Sequence, residues 1–148
     1  MKVFVLNGPS LNMLGERQPL IYGTTTLSEV EKMCIDRASG HGLEVEFRQT
    51  NDEGTLVDWL QEARHGADGV ILNAAAFSHY SLAVRDAVQA CSRPVIEVHI
   101  SNIFAREEFR AKSVISAVAV GVISGLGVQG YLAAIDALAG ILGDKGAE

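Results

Sequence analysis

Apolar and polar positions follow two rhythms along this chain, and each switch between them marks an element. Val3 to Asn7 is a short, mostly apolar run that predicts a first strand. From Leu27 to His41, the positions Leu27, Val30, Cys34 and Ala38 recur near helical spacing, and Gly42 stops the pattern, which predicts a helix. Between Leu43 and Gln49 the period drops to two. Leu43, Val45 and Phe47 alternate with Glu44, Glu46 and Arg48, as in an edge strand with one wet face. Thr55 to His65 predicts the next helix, Gly69 to Asn73 a third strand, Ser81 to Cys91 a third helix and Val95 to His99 a fourth strand. A short helix is expected around Arg106 to Ala111. Ala117 to Ile123 is apolar throughout, which predicts a fifth strand covered on both faces. A last helix runs from about Val128 to Leu142, with Val128, Leu132, Ile135, Leu138, Ala139 and Leu142 striped toward the sheet.

Strands alternating with helices imply an α/β fold, here a doubly wound five-stranded parallel sheet with helices on both faces, in one domain over residues 1–148. Such sheets bind ligands outside the carboxyl ends of their strands. Three of those ends are polar: Asn7, Asn73, and Glu97 with His99. One connection breaks the short-loop rule. Residues 8–26 show no periodicity and contain Pro9, Gly15, Pro19 and Gly23. Loops of this length are usually functional, so an active-site lid hinged at Gly15 and Gly23 is expected.

Composition narrows the partners. A formal net charge of -6 with few aromatics argues against nucleic acid, so the arginines must act locally. The apolar start at Met1 to Leu6 stops at Asn7, Gly8 and Pro9 without a small-residue cleavage site, and no segment is apolar enough to span a membrane. Cys34 and Cys91 read as free thiols rather than a disulfide or metal pair. A cytoplasmic protein is expected.

The densest chemistry lies at Glu97, His99, Ser101 and Asn102, followed by Arg106 and Arg110. Glu97 and His99 are two apart, hence on one strand face. With His79 they form a candidate metal set, but no further strong ligand has suggestive spacing. A carboxylate that orients an imidazole is the better reading. His41 and His65 sit at helix ends, where capping is the simplest explanation. Tyr22 has Arg17 nearby in the loop, and Arg106 is a second candidate neighbour. A free tyrosine titrates near pH ~10, and a guanidinium beside it favours the phenolate, which could take a proton next to a carbonyl. Spacing alone leaves Tyr22 readable as a loop aromatic and favours Arg17 as a solvated charge. Singly, Asn7, Asn73 and Ser101 read as turn formers. Together at one sheet edge they read as hydroxyl and carboxylate binders, with the Ile100 and Ser101 amides as a backbone nest. Residues 125–130 match G-x-G-x-x-G, but no further strand with an acidic residue follows, so these glycines are read as allowing close strand-to-helix packing. No phosphate loop follows the first strand, which counts against a flavin- or phosphate-binding module.

Six stretches carry a resemblance. They are Leu-Asn-Gly-Pro-Ser-Leu-Asn-Met-Leu-Gly at 6 to 15, Arg-Gln-Pro-Leu-Ile-Tyr-Gly at 17 to 23 and Ile-Leu-Asn-Ala-Ala-Ala-Phe-Ser-His-Tyr-Ser at 71 to 81. Ile-Glu-Val-His-Ile-Ser-Asn at 96 to 102, Ala-Arg-Glu-Glu-Phe-Arg at 105 to 110 and Gly-Leu-Gly-Val-Gln-Gly-Tyr at 125 to 131 complete them. The chain resembles the type II 3-dehydroquinate dehydratases, and the match spans almost its whole length. The resemblance implies a flavodoxin-like fold and a cofactor-free anti elimination of water from 3-dehydroquinate, through an enolate, to 3-dehydroshikimate. It implies Tyr22 as base, with Arg17 on the lid and Arg106 favouring its tyrosinate. It implies His99, oriented by Glu97, as general acid. Asn73 and the amides of Ile100 and Ser101 would hold the substrate carboxylate, and His79 and Arg110 the ring hydroxyls. It further implies a dodecamer of four trimers, in which Asp86 reaches a neighbouring subunit's site. One position departs from the pattern: Ser10 stands where the family has an asparagine that helps to stabilise the enolate. That leaves a second reading, a protein that captures a cyclic polyol carboxylate without turning it over. The reaction itself fits either aromatic biosynthesis or quinate breakdown.

Overall fold

In the computed structural model, which describes residues 1–146, the apolar runs pair into one parallel sheet. The last two positions of the expected 1–148 domain lie outside the described residues. The strands are β1 (Lys2–Asn7), β2 (Glu44–Gln49), β3 (Gly69–Asn73), β4 (Val95–His99) and β5 (Gly121–Ser124), in the spatial order β2-β1-β3-β4-β5. That order, with crossovers through helices, is the flavodoxin-like arrangement. The strand sequence reverses direction between β1 and β3, where Asn7 pairs in register with Asn73. The crevice above those two residues is where such sheets bind ligands.

The helices begin where side chains cap them. A short α1 (Pro19–Tyr22) lies in the long loop. α2 (Leu27–Ser39) starts on a capping box between Thr26 and Glu29. The Asp52 carboxylate caps α3 (Glu53–Gly66), which moves its start ahead of the expected Thr55. Ser81 caps α4 (Leu82–Cys91) through the Val84 amide, and α5 (Gln129–Gly146) closes the chain. Alternation along the buried strands sorts the core into two layers. Val3, Val5, Ile71 and Val98 face α2 and α5, while Phe4, Leu6, Val70 and Leu72 face α3 and α4. Cys34 and Cys91 are buried free thiols, one in each layer, and burial pushes the Cys34 thiol up to about 12. No described helix is long and apolar enough to cross a membrane.

Two expectations are corrected. The fifth strand is shorter than Ala117 to Ile123, because Ser116–Val118 turns as a 3-10 helix. It is also an edge, with Val122 41% exposed and Val120, just before it, 60% exposed, because no described strand pairs with its outer side. The helix expected at Arg106 to Ala111 shrinks to 3-10 turns at Ile103–Ala105 and Glu108–Arg110. Between those turns Arg106 takes an extended backbone.

Candidate active site

A cavity of about 200 Å³ opens over the carboxyl ends of β1, β3 and β4. Three segments build its walls. β1 leads into the first, and Gly8 lets the backbone turn there. Its amide donates to the Asn73 carbonyl at 2.8 Å, and a Cβ would sit 2.5 Å from the Ala74 carbonyl oxygen. Leu11 and Leu14 then bury in the core and anchor the first half of the long loop, while Leu20 is fully exposed. Gly15 and Gly23 both adopt positive φ, and a Cβ on Gly15 would lie 2.8 Å from the Thr24 carbonyl oxygen. The two ends of segment 15–25 therefore lie together.

On that segment Tyr22 faces the cavity. Its hydroxyl oxygen accepts from Arg17 Nη2 at 3.2 Å and from Arg106 Nη1 at 2.8 Å. Both guanidinium carbons also lie over the ring, 4.9 and 5.3 Å from its centroid. Two cations thus converge on one phenolic oxygen, an arrangement that stabilises negative charge on it. Spacing favoured Arg17 as a solvated charge, whereas in the fold it reaches Tyr22, because the helical turn of α1 folds the loop back on itself. Arg106 also donates to Ser101 Oγ at 3.2 Å.

Opposite lies the end of β4. Glu97 and His99 share a strand face and hydrogen-bond to each other through Glu97 Oε2 and His99 Nε2. Glu97 has no exposed surface. Burial pushes its carboxyl up, but hydrogen bonds from His99, Ser116 and Ser113 and the His99 charge outweigh burial and hold it below the usual carboxylate range. The two serine hydroxyls donate at 2.7 and 2.8 Å. An anionic carboxylate on Nε2 stabilises positive charge on the His99 ring and leaves Nδ1 for the cavity. The His79 ring stacks near it, centroids 6.2 Å apart, and its Nδ1 bonds to the Lys112 carbonyl at 2.8 Å.

Past β4, Ile100 and Ser101 line the cavity, and their backbone amides find no acceptor among the described residues. The glycine motif closes this wall from behind. The amides of Gly125 and Gly127 donate to the His99 and Ile100 carbonyls at 3.2 and 3.0 Å, so both are already paired and do not form a phosphate cradle. Gly125 has φ +90 and packs on Asn102, while Gly130 in α5 lies against Val98 of β4 and Ile123 of β5, the strand-to-helix contact expected of the motif. Asn73, His79, Arg110 and Ser10 complete the lining. Ser10 is left-handed at φ 69, its amide bonded to Asn51 Oδ1 at 2.9 Å.

Glu97 sits behind His99 rather than in the lining, and Asn7 and Asp86 also stand outside the cavity. Asn7 is buried beneath it and does not line it. Its amide is satisfied by the Arg48 carbonyl and Tyr131, which corrects its reading as a ligand binder. Asp86 lies exposed on α4, away from the lining residues of its own chain. Sequence reasoning missed Ser113, Ser116 and Tyr131. Nothing in the spacing of the serines pointed to Glu97, and Tyr131 was hidden at the end of the glycine motif.

A flavodoxin-like sheet whose crevice pairs a carboxylate-held histidine with a tyrosine held by two guanidinium groups defines an enzyme built for proton transfer on a small molecule. Comparison with known proteins specifies which. A family profile described as "Dehydroquinase class II" matches residues 1–139. The chain is 55% identical over 139 residues to 3-dehydroquinate dehydratase 1 of Agrobacterium fabrum, covering 94% of this chain and 96% of that one. It is 51% identical over 145 residues to 3-dehydroquinate dehydratase 2 of Pseudomonas putida, covering 98% and 97%. Among solved structures, the type II dehydroquinase of Propionibacterium acnes superposes with a TM-score of 0.91 at 47% identity, covering 94% of this chain and 96% of that one. The chain belongs to the class II dehydroquinase family.

Proposed function

We propose that the protein is a 3-dehydroquinate dehydratase, a hydro-lyase that converts 3-dehydroquinate to 3-dehydroshikimate and water. One arrangement carries this reading: Tyr22 Oη, held by Arg17 and Arg106, shares a cavity with the Glu97-paired His99. Tyrosinate at Tyr22 takes a proton from the carbon beside the ketone, and the C–H electron pair forms an enolate. The enolate reforms the ketone, a C=C bond forms, and the C–O bond to the neighbouring hydroxyl breaks. His99 gives that oxygen a proton, so it leaves as water. Returning one proton from Tyr22 to His99 resets the site.

The remaining lining residues take binding roles in this proposal. Asn73 and the unpaired amides of Ile100 and Ser101 receive the substrate carboxylate, and His79 and Arg110 the ring hydroxyls. Ser10 stands by the enolate oxygen, directly or through water. Segment 8–26 acts as a lid on a single domain, with closure confined to 15–25 by the buried Leu11 and Leu14. We also infer a cytoplasmic enzyme of the shikimate pathway or of quinate breakdown, assembled as a dodecamer. Capture without turnover has no support, since relatives at this identity are named as dehydratases.

Ultraviolet absorbance tests the reaction directly, because the product is a conjugated enone carboxylate and the substrate is not. With 3-dehydroquinate the parent is expected to give a steady rise. Tyr22→Phe is expected to lower the rate by at least about 10²-fold, the lower range for losing an acid–base group. No rise from folded parent protein would sink the dehydratase reading, and an equal rise from the variant would sink Tyr22 as the base.

A further inference from the structure

Behind the cavity wall a chain of hydrogen bonds runs from the turn after β3 through β3, α5 and β1 to β2 and has a single direction. The Ala75 amide donates to Asn73 Oδ1 at 3.2 Å, and Asn73 Nδ2 donates to Tyr131 Oη at 2.8 Å. Tyr131 Oη then donates to Asn7 Oδ1 at 2.7 Å, and Asn7 Nδ2 donates to the Arg48 carbonyl at 3.0 Å. Both ends are backbone groups of fixed polarity, a donor at Ala75 and an acceptor at Arg48. No link can reverse without leaving buried groups unpaired. Tyr131 has no exposed surface, and Asn7 and Asn73 are also buried. The single phenol proton of Tyr131 goes to Asn7, so toward Asn73 the oxygen only accepts. Asn73 must therefore present its NH2 group, and its carbonyl is held by Ala75, a residue at φ 51. One N–H of that amide remains for a ligand in the cavity that Asn73 lines.

We propose that Tyr131 is a positioning residue that locks the Asn73 amide as a hydrogen-bond donor, and thereby sets this wall of the cavity to take an anionic oxygen. Without Tyr131 only the Ala75 amide holds the group, and the NH2 loses the second anchor that fixes its aim on the cavity. The inference rests on the dehydratase reading for the identity of its ligand, the carboxylate of 3-dehydroquinate.

Tyr131→Phe, Asn73→Ala and the double variant test it in steady-state turnover of 3-dehydroquinate, with unfolding temperature measured without substrate. Each single variant is expected to raise KM by about tenfold, the range of a hydrogen bond to a charged group, with a smaller change in kcat. The double variant is expected to show no further rise beyond Asn73→Ala, because both changes remove one interaction. A purely structural role would lower the unfolding temperature of Tyr131→Phe and leave KM unchanged, or would make the two KM effects multiply; either result overturns the proposal. If Tyr131→Phe does not fold, pairing it with Asn7→Leu removes the orphaned acceptor and the same comparison is made there. If the parent turns over nothing, the dehydratase reading has failed, and the same cycle is read in Kd for 3-dehydroquinate by calorimetry. Uncoupled Kd values, or no binding by the parent, overturn the Tyr131 role.

Discussion

At the scale of single residues, Ser10 stands where the resemblance implies an asparagine, and its backbone explains why that difference would matter twice. It holds φ 69 without a side-chain bond to its own helical turn. Non-glycine residues pay about 1–2 kcal/mol in the left-handed region, and asparagine tolerates it better than serine. Its hydroxyl also offers one donor where an amide offers two. Ser10→Asn is therefore expected to raise stability by up to about 1 kcal/mol, visible as a higher unfolding temperature. The same variant is expected to raise kcat by about tenfold, short of the roughly 10²-fold that a complete oxyanion donor commands. If turnover is no faster, the serine already does the work of the amide.

At the scale of elements, the connection from β4 to β5 is more than a crossover. It brings Ser113 and Ser116 back onto Glu97, so the carboxylate is fixed by its own strand and by a segment that follows it. The folded-state value of Glu97 is depressed relative to the unfolded chain. Its contribution to stability is therefore present above the unfolded value near ~4.3 and is lost as pH falls through the lower folded value. Glu97→Gln is expected to cost about 2 kcal/mol at pH 7, as judged from hydrogen bonds to a charged group. That deficit should shrink as pH falls below about 4, and denaturant titrations of both proteins at each pH check it. A deficit that stays constant from neutral to acid pH would remove the anionic carboxylate from the account.

At the scale of the whole molecule, the two sheet edges differ. β2 carries Glu44, Glu46 and Arg48, with Arg48 paired to Glu62 at 2.8 Å and laid over Phe4 and Trp59, so charge protects that edge. β5 exposes Val122, with Val120 exposed just before it, and no described strand pairs with its outer side. An apolar edge of this kind suits burial against another copy of the chain, which supports the proposed assembly. Sedimentation is expected to give a dodecamer, about twelvefold the 15.8 kDa chain mass. Asp86→Ala is expected to keep that mass while weakening activity, because the exposed carboxylate would serve a neighbour's cavity rather than its own. A monomer with full activity would refute both statements.

What the sequence by itself determined was the order of the main strands and helices and the edge of the sheet at which chemistry gathers. Period-two and helical patterns are local, and so are the caps at Thr26 and Ser81. The spacing of Glu97 and His99 is local too, because strand geometry alone puts them on one face. Their chemistry made Tyr22 and His99 candidates for proton transfer, and the resemblance to a family assigned them as base and acid. Only the tertiary structure decided that Arg17 and Arg106, far apart in the chain, meet on one phenolic oxygen. It also decided that Asn7 supports the cavity from beneath, and that β5 is a bare edge rather than a covered strand. The physical reason is common to all three. A hydrogen bond or a covering layer between distant segments depends on how the chain returns to the sheet, and no local pattern encodes that return.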